Sequence, residues 1–160
     1  MGLSNQEAKD LFKVGLDYSV FQDGWVYPWK EALDGLTAEQ AAWRPGPDLM
    51  GVWDIVLHTA VWNEDIVERV KTKQSTHPSE GAWPARAEAL DEASWQLAQK
   101  RFWDSVDALV VLIQNDSIDD IRSSPYGFGD LLCRFLHMAY HVGQIEKIRE
   151  CEGWGVNPNL

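Results

Sequence analysis

Apolar side chains recur at every third or fourth position in residues 51–73, which read GVWDIVLHTAVWNEDIVERVKTK. This spacing is that of one face of an α-helix, because about 3.6 residues complete each turn. The positions that share this face are Trp53, Val56, Leu57, Ala60, Val61, Glu64 and Val67. A stripe of this width must be covered by other elements, so the segment predicts a long amphipathic helix that packs against further helices.

Three other segments carry the same helical periodicity. The first follows the capping box Ser4-x-x-Glu7, another runs from about 87 to 114, and the last runs from about 130 to 152 and ends at Gly153. The first segment is predicted to bury Ala8, Leu11, Phe12, Leu16 and Val20, and the one over 87–114 to bury Leu90, Ala93, Leu97, Phe102, Val106, Leu109 and Ile113. Four long amphipathic segments predict an all-α fold, a four-helix bundle.

The connections between these segments are rich in turn-forming residues. Pro28 should interrupt the first helical segment, since proline lacks a backbone donor, and Thr37-x-x-Gln40 is a second capping box that opens a short turn. Residues 75–84 and 115–129 contain proline and glycine and are predicted connections. Signals for β-strands are largely absent.

The composition excludes several classes of protein. The 160 residues carry 14 basic and 25 acidic side chains, a net charge of −11, and 45% of the residues are hydrophobic. We expect a single globular domain over residues 1–160, because a chain of this length can bury a sizeable core by itself. Nucleic acid and membrane surfaces are bound through clustered Lys and Arg, so neither is an expected partner. Without a signal-peptide pattern or a run of about 20 apolar residues, we expect a cytoplasmic protein.

Three of the four histidines lie at helical positions that face inward. His137 and His141 form an i, i+4 pair on one face of a helix, so their rings can share one ion. His58 lies on the apolar side of another helix and can point toward that pair, whereas His77 lies in a loop. Three neutral imidazoles suit Zn²⁺, Ni²⁺, Co²⁺ or Fe²⁺ and leave positions for water or substrate. Spacing leaves another interpretation open, in which the pair arises by chance and His58 is a hydrogen-bonded core residue.

Several side chains near these histidines are candidates for supporting roles. Gln144 follows His141 by three residues on the same stripe and can hydrogen-bond a ligand imidazole or a bound water. Cys133, one turn before His137, is a candidate soft ligand, although a helical cysteine is ordinarily only a small apolar residue. Carboxylates close to His58 in sequence can accept from its ring, although solvated carboxylates are the ordinary case. They are Asp54, Glu64 and Asp65.

The nine tryptophans have two interpretations. Trp53 and Trp62 flank His58 in sequence, and Trp25, Trp29 and Trp83 can wall the mouth of a site near it. Large apolar rings with few rotamers suit a pocket for an aromatic or alkyl group. Core packing is the more common use of such residues, because four long helices need large side chains.

Three motifs together resemble those of a known family. Trp43-Arg44-Pro45 precedes the second long helix, Trp53 to His58 lies within it, and His137-x-x-x-His141-x-Gly143-Gln144-Ile145 lies in the last. With these motifs the chain resembles the DinB/YfiT-like family of metal-dependent enzymes. The resemblance implies a bundle in up-down-down-up order, an open three-histidine metal site and a homodimer. The implied ligands are His58, His137 and His141.

Family members with known chemistry look like thiol S-transferases that join bacillithiol, mycothiol or glutathione to an electrophile, and a related member isomerises maleylpyruvate. The resemblance therefore implies a thiol S-transferase with a divalent metal, Zn²⁺ or Ni²⁺, and a low-molecular-weight thiol as co-substrate. Arg44 and Arg86 are candidates for binding a carboxylate of that thiol. Two alternatives stay open: a non-catalytic metal-binding or structural homodimer, and a metal-dependent hydrolase.

Overall fold

The computed structural model of the chain describes residues 3–115 and 118–155. Within these ranges the chain forms helices and no strand, which confirms the predicted all-helical class. The helices are α1 (Asn5–Leu16), which continues into a π-helical turn (Asp17–Phe21), α2 (Trp29–Leu33), α3 (Ala38–Ala42), α4 (Val52–Thr72), α5 (Glu92–Asn115), α6 (Ile118–Arg122) and α7 (Phe128–Glu152). None of the described helices is both long and apolar enough to cross a membrane. The four-helix bundle and its up-down-down-up order remain predictions.

Local sequence sets the beginnings of the first three helices. The Ser4 N–H donates to Glu7 Oε2 at 2.8 Å, and the Glu7 N–H donates to Ser4 Oγ at 3.3 Å, which completes a capping box at α1. Thr37 and Gln40 form the second capping box at α3. Pro28 is the N-cap of α2, after the π-helical turn has ended. Both predicted capping boxes and the interruption at Pro28 are confirmed.

The predicted inner face of α5 is wrong in its first half. The helix begins at Glu92, about five residues later than predicted, because Asp91 Oδ1 accepts from the Ser94 N–H at 2.8 Å and caps it. The residues that face inward there are Trp95, Ala98 and Phe102, whereas Leu90, Ala93 and Leu97 are exposed. The predicted stripe passes from Leu97 to Phe102, and residues five apart do not lie on the same face of an α-helix. On α1 a single predicted position, Leu11, is likewise wrong and lies exposed.

Large aromatic rings fill the core between the helices. The Trp53 ring on α4 lies 5.2 Å from that of Trp95 on α5, and the Trp95 Nε1–H donates to the Leu36 carbonyl at 3.0 Å. Trp29 stacks on Phe102 with ring centroids 4.4 Å apart. Each ring removes a large apolar area from water, which makes this packing a main source of stability.

The connection before α7 contains a helix that the sequence pattern did not predict. α6 (Ile118–Arg122) interrupts the predicted loop over 115–129, of which residues 116–117 lie outside the described ranges. α7 begins at Phe128, two residues before the predicted start. It ends where predicted, at Gly153, whose φ of 69° is the left-handed conformation that glycine adopts without strain.

A buried carboxylate ties the loops on either side of α4 to its first turn. Asp54 accepts hydrogen bonds from Arg44 at 2.7 and 2.9 Å, from Arg86, and from the Gly51 N–H at 2.9 Å. Burial raises the pKa of Asp54, but the hydrogen bonds from Arg44 and then Arg86 outweigh it and hold that pKa below its ordinary value. A Cβ at Gly51 would overlap the Trp43 carbonyl oxygen, so only glycine fits there. Both arginines are therefore engaged by the same carboxylate, and neither lines the cavities at the histidines.

Candidate metal centre

The structure brings three of the predicted site residues together. His58 from α4 meets His137 and His141 from α7, and the ring nitrogens that could serve as ligands all lie within 4.8 Å of one another. Nε2 of His137 lies 3.2 Å from Nε2 of His58 and 2.8 Å from Nε2 of His141. His58 and His141 are buried and His137 is half-buried. We refer to these three residues as the histidine cluster.

Two of the rings are held in the tautomer that is protonated on Nδ1, which leaves Nε2 free to bind a metal ion. His58 Nδ1 lies 2.6 Å from the Ala82 carbonyl, and His141 Nδ1 lies 2.6 Å from Gln144 Oε1. A carbonyl or amide oxygen only accepts, so each Nδ1 carries the proton and each Nε2 presents its lone pair to the centre of the cluster. The Gln144 amide is itself positioned by donating to the Tyr140 hydroxyl at 2.9 Å.

The third ring has a different partner. Arg134 Nη1 lies 2.7 Å from His137 Nδ1, and because a guanidinium has no acceptor it must be the donor. In neutral His137 the proton therefore lies on Nε2, where it can be donated to Nε2 of His141. Ligation through Nε2 would place that proton on Nδ1, so the guanidinium has to move away from Nδ1 when His137 binds a metal. With that one movement, the donor set fits a divalent ion.

Burial keeps the cluster uncharged. The pKa of His137 falls to about 3 and that of His141 to about 4, and the pKa of His58 also lies below its ordinary value. Loss of hydration is the main cause in each case, and the Arg134 cation adds to it. Burial also lowers the pKa of Arg134 to about 9, which still leaves its guanidinium charged at pH 7. The site therefore contains three neutral imidazoles beside the Arg134 cation.

Two cavities meet at the histidine cluster. The first cavity, of about 830 Å³, has all three histidines in its wall, and its other lining residues are mainly apolar. Trp83 lies in that wall and stacks on the His58 ring, with centroids 3.8 Å apart and planes inclined by 17°. The second cavity, of about 570 Å³, shares His58 and His137 with the first and also contains Arg134. A ligand in either cavity can therefore reach the cluster.

The predicted carboxylate partners do not reach the rings. Asp54 is bound by Arg44 and Arg86, as described above. Glu64 pairs with Arg101 at 2.7 Å, and Asp65 pairs with Arg69 at 2.6 Å. Each carboxylate is thus engaged by an arginine, and the imidazoles take other partners.

The tryptophans divide between core and cavity walls. Trp83 lies in the wall of the first cavity and Trp62 in that of the second. Trp53 and Trp29 are fully buried in the core, and Trp25 is completely exposed, so these three do not wall the site. Cys133 and His77 are exposed and lie outside the histidine cluster, although Cys133 lines the second cavity.

Sequence reasoning missed two groups at the site. Ala82 contributes only its backbone carbonyl, which no side-chain pattern can reveal. Arg134 was detectable, because it lies three residues before His137 on the same helix face.

Comparison with known proteins gives one match. The sequence profile of the DinB superfamily matches residues 29–144, which is more than half of the 160-residue chain. The matched region contains the whole histidine cluster and Gln144. No curated protein and no solved structure gives a significant match.

Proposed function

The chain belongs to the DinB superfamily, and we propose that it is a metal-dependent thiol S-transferase that acts on small electrophiles. The supporting observation is the position of the histidine cluster, because His58 and His137 lie in the walls of both cavities. A transferase must bring two substrates to one centre, and two cavities that share these residues offer each substrate a place.

The metal in this proposal is Zn²⁺ or Ni²⁺, held by His58, His137 and His141. Neutral imidazoles suit both ions, and three protein ligands leave a position open, as in catalytic sites. When bound, such an ion lowers the pKa of a coordinated thiol, so that thiolate is available near neutral pH.

The surrounding residues orient the ligands and the electrophile. The Ala82 carbonyl and the Gln144 amide hold the Nδ1 protons of two rings, which keeps their lone pairs directed inward. The mainly apolar wall of the first cavity, with Trp83 over His58, suits an aryl or alkyl electrophile. His141 also lines this cavity, so an electrophile there lies beside the cluster.

The test is consumption of monochlorobimane by purified protein that has been loaded with Zn²⁺ or Ni²⁺. Bacillithiol, mycothiol and glutathione are supplied separately, and formation of the fluorescent conjugate is followed. We expect turnover that requires both metal and one of the thiols. His141→Ala should lose it, whereas His77→Ala, which changes an exposed histidine outside the cluster, should retain it.

Other outcomes would contradict the proposal and favour the alternatives. Tight metal binding without turnover for any of the three thiols would favour a non-catalytic metal-binding protein. Metal-dependent cleavage of 4-nitrophenyl acetate without a thiol would favour a hydrolase that uses a bound hydroxide. Failure to bind metal would favour a structural role for the bundle.

We also propose that the protein is cytoplasmic, because low-molecular-weight thiols are the reductants of that compartment. We further propose that it is a homodimer. Support for a dimer comes from exposed apolar side chains on α1 and α7. These two helices pack against each other through Phe12 and Phe135. Leu136 is 72% exposed and Tyr140 61%, and Leu132, Leu11 and Val14 are also exposed. A dimer would cover this face. Sedimentation should show a dimer that Leu136→Glu converts to a monomer, and a monomeric wild type would contradict it.

A further inference from the structure

Arg134 lies in the second cavity with most of its hydrogen-bonding capacity unused. The residue is only 4% exposed, and Nη1 donates to His137 Nδ1. Its Nε and Nη2 are buried and have no hydrogen-bond partner among the described residues. A guanidinium that loses its hydration in this way needs an acceptor, and the described part of the chain does not supply one for these two groups.

Asp130, which lines the second cavity together with Arg134, is already engaged elsewhere. Asp130, one turn before Arg134 on α7, accepts from Arg69 at 3.2 Å and from the Ser124 hydroxyl at 3.1 Å. Asp65 pairs with the same Arg69 at 2.6 Å. Arg69 therefore has two carboxylates, whereas Arg134 has none within ion-pair distance among the described residues. A ligand that carries a negative charge can therefore pair with Arg134.

The rest of the cavity indicates what that ligand carries besides a negative charge. Trp62, Ile66 and Tyr126 line it, and its volume of about 570 Å³ lies in the range of small-molecule sites. A guanidinium presents parallel N–H groups that match the two oxygens of a carboxylate. We propose that the second cavity is a subsite for a carboxylate-bearing small molecule, with Arg134 binding the carboxylate and the apolar wall holding an aryl or alkyl body.

This inference rests on the proposed function in one respect, since it assigns a substrate class to a cavity that shares His58 and His137 with the proposed metal centre. The carboxylate belongs either to the thiol or to the electrophile. Both sources offer the same chemistry to Arg134, and the binding experiment separates them.

The experiment measures binding of 4-fluorobenzoate to the full chain by ¹⁹F NMR, with uncharged 4-fluorobenzamide as its isostere. We expect wild type to bind the carboxylate at least tenfold more tightly than the amide. Arg134→Met should abolish this preference and keep or raise the unfolding temperature, because it removes a buried charge without a counter-ion. Arg101→Met is the matched control, since Arg101 pairs with Glu64 and Glu80 outside this cavity and should keep the preference.

Equal binding of carboxylate and amide by wild type, or a preference that survives in Arg134→Met, would overturn the inference. If Arg134→Met does not fold, Arg134→Lys provides the second variant, and it should reduce the preference while leaving a monodentate charge. Displacement of the probe by glutathione or by bacillithiol assigns the carboxylate to the thiol, and persistence of the probe against both assigns it to the electrophile.

His141→Ala separates this inference from the proposed function. His141 does not line the second cavity, so this variant should lose zinc and retain the carboxylate preference. A wild type that binds zinc and not 4-fluorobenzoate contradicts the subsite alone. A wild type that binds 4-fluorobenzoate and not zinc contradicts the metal site alone.

Discussion

Zinc should raise the unfolding temperature of the wild-type chain and leave that of His141→Ala almost unchanged. Nε2 of His141 lies 2.8 Å from Nε2 of His137, so the substitution removes one of the three nitrogens that face the centre of the cluster. An ion that binds only the native state stabilises it in proportion to the logarithm of its concentration over Kd. The difference between the zinc-induced shifts of wild type and His141→Ala therefore measures how much His141 contributes to zinc affinity.

The expected magnitudes follow from this relation. At a free zinc concentration of about 100 times Kd, the gain in unfolding free energy is about 2.7 kcal/mol. For a chain of 160 residues, 1 kcal/mol shifts Tm by about 2–4 °C, so wild type should unfold about 5–11 °C higher with zinc. If loss of one ligand weakens binding about a hundredfold, the same zinc concentration gains about 0.4 kcal/mol, a shift of about 1 °C.

The assay is differential scanning calorimetry with and without zinc, and each variant is compared with its own metal-free form. This comparison removes the effect that a substitution at a buried position has on the fold itself. His77→Ala should keep the full shift, because His77 is exposed and lies outside the histidine cluster. A full shift in His141→Ala, or a loss of the shift in His77→Ala, would show that zinc binds elsewhere.

Three further predictions follow from the contacts around the site. Gln144→Ala should weaken zinc binding about tenfold to a hundredfold in competition with a chelating dye, because a ligand ring loses the acceptor that orients it; unchanged affinity would refute that role. Arg134→Met should bind zinc more tightly than wild type in the same titration, since Nδ1 of His137 is then free to carry the proton that ligation through Nε2 requires; a weaker affinity would contradict this. Asp54→Asn should lower the free energy of unfolding in urea at pH 7 by about 3 kcal/mol, because it leaves a buried guanidinium without its counter-ion. Its difference from wild type should shrink in acid: the folded-state pKa of Asp54 is lowered, so its contribution is full above about pH 4 and is lost as the pH falls through the folded pKa. A difference independent of pH would refute the ion-pair account.

Much of the fold could be predicted because short-range pairs decide where helices begin and end. Ser4 and Glu7 lie three residues apart and close a ring of hydrogen bonds that depends on nothing else in the chain. The face of α5 could not be predicted as well, since Leu97 and Phe102 are both large and apolar. Residues five apart cannot both face the core, and Trp95 decides which one does. Its indole N–H donates to the Leu36 carbonyl across the core, which places Trp95 and Phe102 on the buried face. Choices of this kind depend on tertiary contacts that periodicity does not contain.

The candidate site shows the same division. The helical spacing of His137 and His141 brings their rings together, and His58 meets them because α4 packs against α7. Their outer partners could not be read from side-chain types alone. The carboxylates near His58 are bound by arginines from other segments, and the ring donates instead to the Ala82 carbonyl. Partner choice in a buried network depends on every charge that the fold brings close.

Electrostatics links the proposed metal centre to the proposed carboxylate subsite. Neutral histidines leave the charge of a divalent ion uncancelled, and the Arg134 guanidinium lies 2.7 Å from one of these rings. Although the chain has a net charge of −11, the nearby Asp54, Asp65 and Asp130 are all paired with other arginines. Positive charges repel more strongly in a buried region than in water, so this site becomes balanced only when anions enter. A carboxylate on Arg134 supplies such a charge and removes the repulsion between the guanidinium and a divalent ion, so binding of the carboxylate and binding of the ion should favour each other.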